Sequence, residues 1–129
     1  MTRDEVQRWL DRYVEAWRTY DPALIGDLFS EDATYAYQPY LEPMVGRDAI
    51  VADWLANPDV PRSWEAHYEP YVVDGDRAVA TGESRYLKAD GSLRTVFFNN
   101  WTLRFDDEGR CRAFVEWYVE LRKSRRNGV

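Results

Sequence analysis

Residues 61–121 hold four long segments rich in Val, Thr, Tyr, Phe and Trp, and three short helical patterns come before them. The segments, 62–73, 77–88, 93–106 and 111–121, are separated by Asp74-Gly75-Asp76, Asp90-Gly91 and Asp107-Glu108-Gly109. Each break is polar and holds one glycine, which predicts strands joined as a hairpin meander. Helices followed by a meander bury their apolar sides most simply when the helices lie across one curved, mostly antiparallel sheet. The expected fold class is therefore α+β, with a pocket between the two layers. The strands exceed the usual length of about 5–6 residues, and Pro70 and Gly82 interrupt two of them. Bends or bulges there are expected to curve the sheet.

The helical patterns are short but well punctuated. Thr2 and Glu5 form a capping box, and Val6, Trp9, Leu10, Tyr13 and Trp17 recur at helical spacing, predicting a helix over about Thr2–Tyr20. Asp21-Pro22 restarts the chain as N-cap and first helical residue. Leu24, Ile25, Leu28 and Phe29 give this second helix an apolar side that Ser30-Glu31-Asp32 ends. A short strand is expected at Thr34–Tyr37 and an irregular loop between Pro39 and Pro43. Gly46-Arg47-Asp48 opens a third helix carrying Ile50, Val51, Trp54 and Leu55, and Asn57-Pro58 stops it.

Alternation sorts the strand side chains into faces. In the last strand Ala113, Val115, Trp117, Val119 and Leu121 share one face, and Phe114, Glu116, Tyr118 and Glu120 the other. In the preceding strand Phe97, Asn99, Trp101, Leu103 and Phe105 oppose Val96, Phe98, Asn100, Thr102 and Arg104. Both faces carry large apolar groups, so one is expected to meet the helices and the other a second subunit.

Charge and size narrow the partners. The 129 residues suit one domain spanning 1–129. A net charge of −6 disfavours a nucleic-acid partner, and Arg122, Lys123, Arg125 and Arg126 read as a solvated basic end. The single cysteine, Cys111, excludes an internal disulfide. No apolar run approaches the ~20 residues of a membrane span, and Met1-Thr2-Arg3-Asp4-Glu5 is too charged for a signal peptide. A cytoplasmic location is the default expectation. Six Trp, nine Tyr and five Phe exceed what a core of this size needs, so some should line a pocket or an interface. One His and one Cys at distant positions make no metal-ligand set, and no phosphate loop or dinucleotide fingerprint is present. No metal or cofactor is expected.

In this order the chain resembles the nuclear transport factor 2-like superfamily, in particular its SnoaL-like branch. The residues that carry the resemblance are Trp17-Arg18-Thr19-Tyr20-Asp21, Leu28-Phe29-Ser30-Glu31-Asp32-Ala33-Thr34, Gly46-Arg47-Asp48-Ala49-Ile50 and Leu103-Arg104-Phe105-Asp106-Asp107-Glu108-Gly109-Arg110. The resemblance implies a cone-shaped α+β barrel whose sheet wraps a long helix, a pocket in the cone, and a homodimer through the outer sheet face. It also implies that Phe114, Glu116, Tyr118 and Glu120 face inward. Compared with ketosteroid isomerases, Tyr13 matches the helix tyrosine, but Tyr37 and Trp101 replace the base and the oxyanion donor, so that activity is not expected. Compared with limonene epoxide hydrolases, Tyr35 matches, Tyr37 stands at the asparagine, Glu83 and Arg85 occupy the Arg and first Asp in exchanged order, and Glu120 takes the last Asp.

The candidate chemistry follows from that comparison. Glu83, Arg85 and Glu120 are the expected catalytic set, a carboxylate–guanidinium–carboxylate cluster able to activate water or take a proton. The competing reading is a structural ion pair at the mouth of the cone. Tyr13, Trp17, Tyr35, Tyr37, His67, Asn99, Trp101, Phe114, Glu116 and Tyr118 are the expected ligand-binding residues. The expected ligand is a small, largely apolar organic molecule. Cofactor-free isomerisation, dehydration, cyclisation or hydrolysis stands beside a non-catalytic binding or protein-interaction role.

Overall fold

A computed structural model describes residues 1–122; Lys123, Arg125 and Arg126 of the basic end lie outside the described residues. Helix α1 spans Arg3–Thr19. The Thr2 hydroxyl accepts from the Glu5 N–H at 3.1 Å, and the Glu5 carboxylate accepts from the Thr2 N–H at 2.9 Å. The helix closes at Tyr20, whose left-handed backbone sends its N–H to the Ala16 carbonyl. Its buried stripe is Val6, Trp9, Leu10, Tyr13 and Ala16. The Trp9 indole N–H donates to the Leu28 carbonyl at 3.0 Å, which ties α1 to the chain entering the sheet.

Helix α2 spans Pro22–Asp27 and is capped by Asp21, which accepts from the Ala23 N–H at 2.9 Å. It ends earlier than the sequence pattern suggests. Strand β1, Phe29–Ala36, takes Phe29 through Thr34 into the sheet, and Tyr37 follows it. Pairing overrides the helical spacing here: Phe29 registers with Cys111, and the Cys111 N–H donates to the Leu28 carbonyl at 2.8 Å. The loop after β1 ends in a two-residue strand, β2 (Met44–Val45), paired antiparallel with β1. Helix α3, Arg47–Ala56, buries Ile50 and Trp54. The meander follows as β3 (Trp64–Asp74), β4 (Arg77–Leu87), β5 (Leu93–Phe105) and β6 (Cys111–Glu120).

The sheet order is β2-β1-β6-β5-β4-β3. Every neighbouring pair is antiparallel except β1 with β6. β2 and β3 are free edges, so the α+β cone is a wrapped sheet and not a closed barrel. The register slips near Pro70, between Tyr86 and Leu87, and between Arg104 and Phe105. Gly82, by contrast, sits in continuous register opposite Tyr68. It is a point of close approach: a Cβ there would fall 2.0 Å from the His67 carbonyl oxygen and 2.6 Å from the Tyr68 ring.

The core lies between α1 and the inner sheet face. Trp9 meets Phe29 and Phe105 edge-on, and Phe114 stacks on Tyr35 at 4.3 Å and on Tyr13 at 5.6 Å. The outer sheet face carries an exposed apolar patch, with Trp117 50% and Val119 69% exposed and Val119 in register with Phe98. No helix among the described residues is long and apolar enough to cross a membrane.

Candidate functional site

The wide end of the cone holds a cavity of about 280 Å³. α1 contributes Tyr13 and Trp17, with Tyr20 just beyond it; β1 contributes Tyr35, with Tyr37 just past its end. Asp53, Trp54 and Asp59 come from α3 and the loop that follows it. The sheet supplies Ser84, Tyr86, Phe97, Asn99, Trp101, Glu116 and Tyr118. The walls are mainly aromatic, with Asp53, Asn57 and Asp59 on the helix side and Ser84, Asn99 and Glu116 on the sheet side.

Two buried polar atoms on the sheet side have no partner. Tyr68 stacks on Trp101 at 3.8 Å, and its hydroxyl is bonded to Ser84 at 2.6 Å and to the Asn99 amide nitrogen at 2.5 Å. Asn99 Oδ1 is buried and without a partner. The Trp101 indole N–H is likewise buried and without a partner. Buried orphans of this kind are rare. Glu116 is the cross-strand neighbour of Trp101. Burial pushes its carboxyl up to about 7. The Trp101 indole pulls the other way, although it stands outside hydrogen-bonding geometry. No Lys, Arg or His among the described residues lines the cavity to offset the charge.

Tyr13 and Tyr35 stay neutral. Tyr13 and Tyr35 bond each other at 2.7 Å, and burial holds both hydroxyls well above their ordinary range. Two hydroxyls share one bond, so one O–H remains free to donate to a ligand oxygen. Burial, and then the Asp53 carboxylate that accepts its proton at 2.5 Å, raise Tyr37. Asp59 accepts from the Trp17 indole at 2.8 Å, and Trp17 in turn stacks on Trp64 at 3.8 Å. Tyr118 accepts from Gln38 at 2.6 Å.

Eight of the expected residues therefore come together: Tyr13, Trp17, Tyr35, Tyr37, Asn99, Trp101, Glu116 and Tyr118. Phe114 lies behind them as a buried core ring. The expected catalytic set does not assemble. Glu83 registers with Phe98 and Arg85 with Val96, so both project from the outer face. They form a half-exposed ion pair at 3.5 Å, and Arg85 also meets Glu65 at 3.6 Å. His67 registers with Glu83 and shares that outer face. Glu120 has the inward parity, opposite Phe97, but lies exposed beyond the cavity and accepts from the Thr95 hydroxyl at 2.8 Å.

Asp53, Asp59, Ser84 and Tyr86 line the cavity without having been singled out. A signal existed for the last two. Ala78, Ala80, Gly82, Ser84 and Tyr86 alternate along β4, and four small residues in register mark the face that large partners cover. Asp53 and Asp59 owe their places to the α3 exit, which carries no comparable pattern.

A family model for the SnoaL-like domain matches residues 10–114. No curated protein matches the sequence. The fold is similar to the crystal structure of an NTF-2-like protein of unknown function from Burkholderia xenovorans LB400. The two agree with a TM-score of 0.71 at 14% identity, over 95% of this chain and 89% of the other. With most of its length matched, the chain belongs to the SnoaL-like domain family, and its fold is that of the NTF-2-like protein.

Proposed function

We propose that the cone binds a small, largely apolar organic molecule and that Glu116 moves a proton on it without a cofactor. The supporting observation is a carboxyl held at about 7 by burial, facing a cavity with no cation among its described lining residues. A group poised near the working pH serves as base in one half of a reaction and acid in the other. Ionised Glu116 takes a proton from a carbon or hydroxyl of the ligand. The free O–H of the Tyr13–Tyr35 pair donates to the oxygen on which charge grows. Protonated Glu116 then returns the proton elsewhere, which amounts to isomerisation, dehydration or cyclisation. With a water beside it, the same carboxylate supports hydrolysis. Tyr37, Asn99, Trp101 and Tyr118 are assigned to ligand positioning. The proposed reaction centre is Glu116 in place of Glu83, Arg85 and Glu120.

Turnover of a panel of enones, epoxides and cyclic ketones tests this reading. At least one should react, with kcat/KM inflecting near pH 7. Tight binding of one panel member with turnover of none would replace the enzyme by a non-catalytic binder.

The same proposal includes a homodimer through the outer sheet face, supported by the exposed Trp117, Val119 and Phe98. Trp117→Asp is expected to turn a dimer into a monomer in sedimentation velocity; a parent protein that is monomeric at tens of micromolar would contradict it. The acidic balance of −6 supports the absence of a nucleic-acid partner, and the buried, unpaired Cys111 fits a reducing, cytoplasmic setting.

A further inference from the structure

An ionised Glu116 is a charge inside the cone, and a buried carboxylate needs hydrogen-bond donors. Burial raises its affinity for a proton, and the Trp101 indole acts on it in the opposite direction. Trp101 stands directly opposite Glu116 in the β5–β6 ladder, so the two side chains leave the same face of the sheet. Cβ atoms in that relation lie about 4.5–5.5 Å apart, within reach of an indole edge and a glutamate carboxylate.

Trp101 needs an acceptor as much as Glu116 needs a donor. It is 2% exposed, and its indole N–H is buried without a partner. An indole has one N–H and no acceptor, so the identity of the orphaned atom is fixed by the ring. That N–H is closed to solvent, so its acceptor has to come from the wall itself. The ring is held from several sides: it stacks on Tyr68 at 3.8 Å and meets Tyr13 at 4.6 Å and Phe114 at 5.1 Å. Glu116 is the partner able to turn, because its carboxylate rotates about a broad terminal torsion.

We propose that Trp101 is a positioning residue for Glu116: its indole N–H takes one oxygen of the ionised carboxylate and leaves the other turned to the ligand. This rests on the reading of Glu116 as the proton-transfer group. The indole keeps its own proton throughout, and the proton taken from the ligand goes to the free carboxylate oxygen. A charge-assisted hydrogen bond is stronger than a neutral one. The contact therefore favours the ionised base before the transfer. It weakens once Glu116 is protonated, which frees the carboxyl to hand the proton back. With one oxygen fixed, the other meets the ligand from a single direction.

¹H–¹⁵N spectra of the whole protein between about pH 5 and pH 9 test this without altering the core. The Trp101 indole proton, assigned from its contacts with the Tyr68 ring, is expected to move downfield as pH rises, with the same midpoint as the Glu116 carboxyl. In Glu116→Gln that inflection should be lost. Trp101→Phe should raise the Glu116 midpoint by roughly 1–2 pH units, because the ionised form loses its donor. The kcat/KM inflection of any panel substrate should rise with it. A packing role alone predicts none of these coupled changes. An indole proton that ignores the Glu116 titration, or that shifts equally in Glu116→Gln, overturns the inference and leaves Glu116 as the proton carrier. So does a Glu116 midpoint that stays or falls in Trp101→Phe; if that variant does not fold, the indole titration of the parent decides. A parent Glu116 midpoint near its ordinary value of 4.5 overturns this inference and the proton-transfer reading together.

Discussion

Glu116→Gln is expected to lower turnover by about 10²–10⁴-fold and, at alkaline pH, to make the protein more stable than its parent. The two effects have one cause. The Glu116 carboxyl holds its proton up to about 7 in the folded chain, against an ordinary value of 4.5. The folded state therefore binds more protons than the unfolded state between those values, so stability falls as pH rises through that window. Below about 4.5 both states are neutral at this position and glutamine changes little. Above about 7 the parent must bury a charge and the variant does not. Each pH unit is worth about 1.36 kcal/mol, so urea unfolding should show the gap between variant and parent widening by about 2 kcal/mol from pH 5 to pH 8. A gap that stays constant, or a variant as active as the parent, would contradict the role assigned to this residue.

Gly82→Ala is expected to destabilise the fold by about 3 kcal/mol or more, the upper end of overpacking costs. The added methyl would meet the His67 carbonyl oxygen at 2.0 Å and the Tyr68 ring at 2.6 Å. Backbone has no rotamer to escape into, so β3 must move off β4. The damage also reaches the cavity, because Tyr68 stacks on Trp101 and its hydroxyl holds Asn99 and Ser84. Gly26→Ala is the control. Its Cβ meets nothing nearer than 3.7 Å, and it lies inside α2, where alanine gains up to about 1 kcal/mol over glycine. Thermal unfolding of the two variants side by side checks this; a Gly82→Ala protein within about 1 kcal/mol of its parent would mean the strands do not approach as described.

The sequence carried the architecture further than the chemistry. The capping box, the α1 stripe and the glycine turns are local signals, and each corresponds to an element of the structure. Phe29 shows where local reading stops: its helical spacing loses to parallel pairing with Cys111, a contact spanning most of the chain. β4 shows it more sharply. At the hairpin Leu87 pairs with Leu93, and that register carried inward would set Glu83 opposite Phe97, inside the cone. One slipped residue between Leu87 and Tyr86 sets Ser84 there instead. The unpaired residue is Arg94 of β5, and because side chains alternate, that single slip changes which residues of β4 oppose the inward face of β5. No turn motif in Asp90-Gly91 announces it. Glu116 was visible as an inward residue, but its unusual proton affinity depends on burial, with no cation among the described lining residues, which only the assembled cavity reveals.

The most direct check is a ¹³C NMR titration of the glutamate side-chain carboxyls, with Glu116 assigned by its disappearance in Glu116→Gln. The account predicts one carboxyl with a midpoint near 7. A Glu116 midpoint near 4.5, the ordinary glutamate value, would show a carboxylate already solvated or paired and would leave the cavity without its proton-transfer group.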